Sequence, residues 1–118
     1  MARKKKPKSR PLEVPPKIHE AELASGPSGA VLRGAEIDPA AAVVRRLAGE
    51  NVVVCGGSLE ENRKLAQTIE AAVGPYERQV PRDELAGPLA LPHFQQVDRS
   101  FGGHCFYETE NRKARIKR

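Results

Sequence analysis

The sequence predicts an α+β domain of two helices and a small antiparallel sheet, with two of the chain's three histidines on the sheet. Three stretches support this. Residues 58 to 73 open with a Ser58/Glu61 capping box, set Leu65, Ile69 and Val73 at intervals of four, and stop at Gly74-Pro75, the pattern of an amphipathic helix. Asn51-Val52-Val53-Val54-Cys55 is a β-branched run closed by Gly56-Gly57, the pattern of a buried strand. Leu91-Pro92-His93-Phe94-Gln95-Gln96 and Gly103-His104-Cys105-Phe106-Tyr107 are short apolar-flanked runs joined through Val97 to Gly103. The Gly102-Gly103 pair supplies turn conformations, so the two runs read as a hairpin that faces its imidazoles towards each other.

The remaining elements follow in chain order. Residues 1–17 combine a Lys/Arg run with Pro7, Pro11, Pro15 and Pro16, which predicts a disordered basic arm. Residues 18–110 are expected to form the single domain, and 111–118 a basic tail that frays. Ile18 to Leu23 reads as a helical turn or a strand, ended by Ser25-Gly26-Pro27-Ser28-Gly29. Asp38 caps a short helix with Pro39 at its first position and Gly49 beyond its end; Val43, Val44 and Leu47 are expected to face inward, with Arg45 and Arg46 elsewhere. From Gly74 to Pro92 the chain is rich in turn residues. Tyr76 to Val80 reads as a short strand, Arg82-Asp83-Glu84 as a polar loop able to arch over a site, and Pro92 holds Leu91 extended at the entry to the histidine strand.

Composition bounds the function. The chain has 118 residues, 39% apolar, with no Trp, so its core must be built from Ala, Val and Leu. No run is long enough to span a bilayer, and Met1 to Lys6 leads into prolines rather than a signal peptide's apolar region, so a cytoplasmic site of action is expected. Cys55 and Cys105 are too few for a disulfide scaffold and read as reduced thiols. The net charge of +5 is unevenly spread. Residues 1–20 hold seven Lys/Arg against two acids and residues 108–118 hold five against two, while residues 21–107 hold eight against eleven. Basic ends attract a polyanion by counterion release, which makes nucleic acid the expected partner; solvated, solubilising tails are the plainer account of the same charges.

The histidines suggest chemistry. Two imidazoles with ordinary pKa values near 6.5 hold about one proton between them at neutral pH, so one can act as base and the other as acid. That division suits metal-free RNA cleavage, in which the base takes the ribose 2′-OH proton and the acid protonates the leaving 5′-oxygen. Arg82, Arg99 and Lys113 are candidate cations for the phosphorane charge, and Gln95 and Tyr107 candidate substrate ligands. Structural histidines in flanking strands are the ordinary alternative. A zinc site from His93, His104, Cys105 and Cys55 lacks the usual close ligand spacing, and His104 and Cys105, adjacent on a strand, point to opposite faces; no metal and no cofactor is expected. The Gly56-Gly57 turn before a helix also invites a phosphate, but its spacing fits no phosphate-loop fingerprint, and Glu60 with Glu61 places negative charge where a phosphate would sit.

Ala86-Gly87-Pro88-Leu89-Ala90-Leu91-Pro92-His93-Phe94-Gln95, together with Gly103-His104-Cys105-Phe106-Tyr107, resembles the C-terminal toxin domains of bacterial polymorphic toxins. Within them the chain is most similar to the small metal-independent RNase domains grouped with barnase, colicin and EndoU toxins. The resemblance covers about half the chain. It implies an α+β fold, RNA as target, a cognate immunity protein as partner, and catalytic roles for His93 and His104, with Gln95 and Tyr107 assisting. Two readings from other classes stand beside this endoribonuclease: a non-catalytic nucleic-acid-binding protein that grips phosphates with its basic ends, and an α+β interaction module.

Overall fold

The serine- and glycine-rich turn that follows Leu23 folds the chain back and pairs strand β1 (Lys17–Leu23) antiparallel with β2 (Val31–Ile37). This and all that follows is seen in a computed structural model, which describes residues 15–80, 87–98 and 100–116. The expected basic arm falls in the residues outside that description, apart from its last few. The β2 stretch carries Gly34 and two charged residues, and no sequence pattern announced it.

Helix α1 (Pro39–Leu47) starts as expected, with the Asp38 carboxylate accepting the Ala41 N–H at 2.8 Å. Its buried face is not the expected one. Ala42 and Arg46, four apart, point into the core, whereas Val44 and Leu47 are 65% and 54% exposed. A buried carboxylate across the interface holds the arginine there, and that outweighs two apolar side chains in water.

Strand β3 (Val52–Cys55) is buried on both faces, as its unbroken apolar run requires. Helix α2 (Leu59–Val73) follows with its capping box formed: Ser58 Oγ accepts the Glu61 N–H at 3.1 Å, and Glu61 Oε1 accepts the Ser58 N–H at 3.2 Å. Then come β4 (Tyr76–Gln79), β5 (His93–Gln96), β6 (Cys105–Tyr107) and β7 (Arg115–Ile116).

Among the described residues these strands make one seven-stranded sheet in the order β4-β5-β6-β3-β1-β2-β7. The sheet is therefore larger than predicted, and it is mixed. Pairs β3–β6 and β2–β7 run parallel, the others antiparallel. The parallel pairs arise because the chain leaves β3 through α2 and the β4–β5 ribbon before it returns beside β3.

The two helices lie together on one face, where Ala42, Ala66 and Ile69 pack on Ile18, Val52, Val54, Phe94, Cys105 and Tyr107. A second core, of Ala21, Val31, Val53, Leu91 and Phe106, sits on the other face. There the segment before β5 crosses the strands, with Leu89 N–H on the Ser28 carbonyl at 2.9 Å and Leu91 over Val53 and Phe106. The C-terminal segment crosses beside it and does not fray as expected. Buried Glu108 accepts the Gly56 and Ala114 N–H groups at 3.2 and 2.8 Å, and Arg112 donates to the Ala90 carbonyl at 2.8 Å, which delivers Arg115 and Ile116 to β2. Among the described residues no helix is long and apolar enough to cross a membrane.

Candidate active site

Strand periodicity decides which side chains meet. His93 pairs with Phe106 across β5 and β6, so alternation puts His93, Gln95, His104 and Phe106 on one face, the one without helices. The His93 and His104 rings are in contact, with centroids 4.3 Å apart and planes at 64°. Both rest on the Phe106 ring, at 5.3 and 5.4 Å. His104 is fixed through its backbone: its N–H donates to Asn51 Oδ1 at 2.7 Å, and its carbonyl accepts the Val52 N–H at 3.1 Å.

His93 is held by a relay of side chains. Gln95 Nε2 donates to Glu77 Oε2 at 3.2 Å, which turns Gln95 Oε1 towards His93, and His93 Nε2 donates to that oxygen at 3.0 Å. Nδ1 lies 3.4 Å from the Leu91 carbonyl, so each ring nitrogen faces an acceptor and the shorter contact is the one at Nε2. Burial pushes the His93 pKa below its ordinary value, and the contacts with Gln95 and Leu91 oppose that shift in part. His93 is thus neutral at pH 7, yet has an acceptor beside each nitrogen should it gain a proton.

Beside the pair is an open pocket of about 190 Å³ lined by Gln95, Gln96, Phe101, Gly102, Gly103 and His104. Behind its lining residues Gln96 and Gly102 lies a buried ionic network. Arg46 donates through Nε and Nη2 to the two oxygens of Glu70, both at 2.8 Å, and through Nη1 to the carbonyls of Glu50 and Gly102, both at 3.0 Å. Gln96 Nε2 donates to Glu70 Oε2 at 2.8 Å, and the Arg46 guanidinium stands 5.8 Å from the centroid of the Phe101 ring. The loop that carries His104 is thereby fastened to α1 and α2. Gly103 makes this possible: its φ is +83°, and a Cβ there would lie 2.5 Å from Arg46 Nη1 and 2.7 Å from the Gly49 carbonyl oxygen.

The other candidates divide. Gln95 joins the pair. Tyr107 does not: the strand turns its side chain to the helix face, 2% exposed, where it belongs to the helix-side core. Lys113 is exposed on the strap that leads to the far edge of the sheet and is not packed on either ring. Arg82 and Arg99 lie outside the described residues. His19, set aside on sequence grounds, donates from Nδ1 to the Gly34 carbonyl at 2.8 Å. Two site residues escaped sequence reasoning. Glu77 reaches the histidines only through strand register, and Arg46 meets its partner 24 residues away; neither leaves a local signal.

The other chemistries weighed from sequence lose their geometry. Cys105 points away from both histidines and donates to the Ala66 carbonyl at 3.5 Å, and burial pushes its thiol, like that of Cys55, well up. Among the described residues no three His, Cys, Asp or Glu converge as metal ligands. In the turn before α2, the N–H of Gly56 goes to Glu108, that of Gly57 to Asn62 and that of Ser58 to Glu61, so the donors of the glycine turn are already taken. Comparison of the chain with protein-family models, with curated proteins and with solved structures found no match.

Proposed function

We propose that the chain is a metal-independent endoribonuclease of the toxin type, with His93 and His104 as its acid/base pair. The observation that carries the reading is the contact of two imidazoles at 4.3 Å beside a glycine-walled pocket. Rings this close leave no room for a phosphate between them, so the scissile group sits over their shared edge, in the pocket of Gln95 and Gly102 to His104. Neutral His93 is the base. It takes the 2′-OH proton, the freed oxygen attacks the adjacent phosphorus, and the phosphorus–O5′ bond breaks. The new imidazolium then donates to Leu91 and Gln95, and the buried Glu70 carboxylate favours that charge. His104 serves as the acid: in its protonated form it gives its proton to the leaving O5′, which leaves a 2′,3′-cyclic phosphate and a 5′-hydroxyl.

The test is cleavage of total bacterial RNA by the purified chain in EDTA, beside His93→Ala and His104→Ala, with thermal melts to show that both variants fold. The expected result is cleavage by the wild type alone, with cyclic phosphate ends. Absence of cleavage, or cleavage that survives both substitutions, overturns the mechanism and favours a protein that holds nucleic acid without cutting it.

A further inference from the structure

A second site lies on the helix side of the sheet, around the edge strand β4. Arg63 and Lys64 come from one turn of α2 and Arg78 from β4, and all three line an open pocket of about 410 Å³. None of the three is paired with a carboxylate among the described residues, and the single acid in the lining is Glu60. Three cations therefore converge against one carboxylate, in a chain whose central part is net acidic. The floor is aromatic: Tyr76 and Phe94 meet edge to face at 5.7 Å, and Gln67 Nε2 donates to the Tyr76 hydroxyl at 2.7 Å, which holds that ring in place. Behind it lies the buried Tyr107 phenol, on which the charges of Arg78 and Arg63 both act.

We propose that this pocket binds single-stranded nucleic acid, phosphates on Arg63, Lys64 and Arg78 and a base on the Tyr76 ring. Unpaired cations next to a fixed aromatic face are what a strand of alternating charge and π-surface requires. Phe94 and His93 are neighbours on β5 that face opposite ways, so a strand turning round the sheet edge at β4 reaches both sites. The proposal rests on the nucleic-acid reading of the chain, and not on the cleavage chemistry.

The test is fluorescence anisotropy of the full chain with a labelled 2′-O-methyl RNA of about ten nucleotides, which lacks the attacking hydroxyl and stays intact. Salt is varied. The triple variant Arg63→Gln, Lys64→Gln, Arg78→Gln is expected to flatten the salt dependence of log K by about 2, the loss of three single-strand phosphate contacts. Tyr76→Leu, which changes no charge, is expected to weaken binding roughly tenfold at each salt concentration, with its fold checked by thermal melt. A charge-matched control, Lys4→Gln, Lys5→Gln, Lys6→Gln, separates the pocket from general attraction.

No binding by the wild type, a pocket triple no weaker than the control triple, or a silent Tyr76→Leu each overturns the site. The pocket would then be left to an acidic protein surface. Binding through the pocket by a chain that never cuts RNA sinks the nuclease reading alone, whereas cleavage with pocket-independent binding sinks this one alone.

Discussion

Replacing Glu70 by Gln removes one charge from the best-buried ion pair in the molecule. Arg46 and Glu70 are both 0% exposed and joined by two 2.8 Å bonds, so the variant strands a guanidinium in the core with at most one acceptor from its former partner. Breaking such a pair from one side costs about 3–5 kcal/mol. A domain of this size has net stability of about 5–15 kcal/mol, and each lost kcal/mol lowers Tm by roughly 4–8 °C, so a fall of at least about 12 °C is expected. A thermal melt followed by circular dichroism measures it, and urea unfolding gives the matching loss of free energy. The double variant Arg46→Met, Glu70→Leu removes both charges and should recover most of the loss, because apolar replacement of a buried pair is often neutral. Glu70→Gln costing under about 1 kcal/mol, the range of an exposed pair, would refute the reasoning. The same variant should slow cleavage even where it folds, since Arg46 also holds the Gly102 carbonyl of the His104 loop.

Two further outcomes are expected. Gly103→Ala puts a Cβ at positive φ against Arg46 and two carbonyl oxygens, and should cost at least about 1–3 kcal/mol by urea midpoint; a change within about 0.5 kcal/mol would show that the loop is not so confined. His93 has its pKa lowered by the fold, so its contribution is fully present above the unfolded value of about 6.5 and is lost as pH falls from there through the folded value. Urea unfolding from about pH 7.5 to about pH 5 should show that slope in the wild type and less of it in His93→Gln, and the acid limb of kcat/KM should lie below about 6.5. An acid limb above that value would reassign the base.

Where the sequence was informative, the signals were local. The Ser58/Glu61 box and the stop at Gly74-Pro75 bound α2 because capping involves residues three or four apart. Strand β3 and the β5–β6 hairpin were legible for the same reason, and with them the meeting of His93 and His104. What was missed depends on partners distant in sequence. Arg46 is buried because Glu70 waits for it, and no pattern within α1 says so. Tyr107 reads as a substrate ligand from its nearness to His104 in sequence, but alternation from Phe106 turns it to the helix side of the sheet. Glu108 looks like part of a charged tail until its carboxylate is found on two backbone N–H groups. Strand β2 became visible only once β1 and β7 were seen on either side of it.

The place of β6 in the sheet has a consequence for how the molecule is made. It is an interior strand, between β5 and β3, yet it comes some fifty residues after the strand it runs parallel to. Until residues 104–107 arrive, the hairpin of β1 and β2, both helices and β3 can assemble, but β3 presents Val52 to Cys55 as an unpaired apolar edge, a template for another copy of the same chain. Self-association thus competes with folding at a step governed by long-range pairing, which is intrinsically slow. Because His104 rides on the arriving strand, a partly folded chain has His93 but not its neighbour.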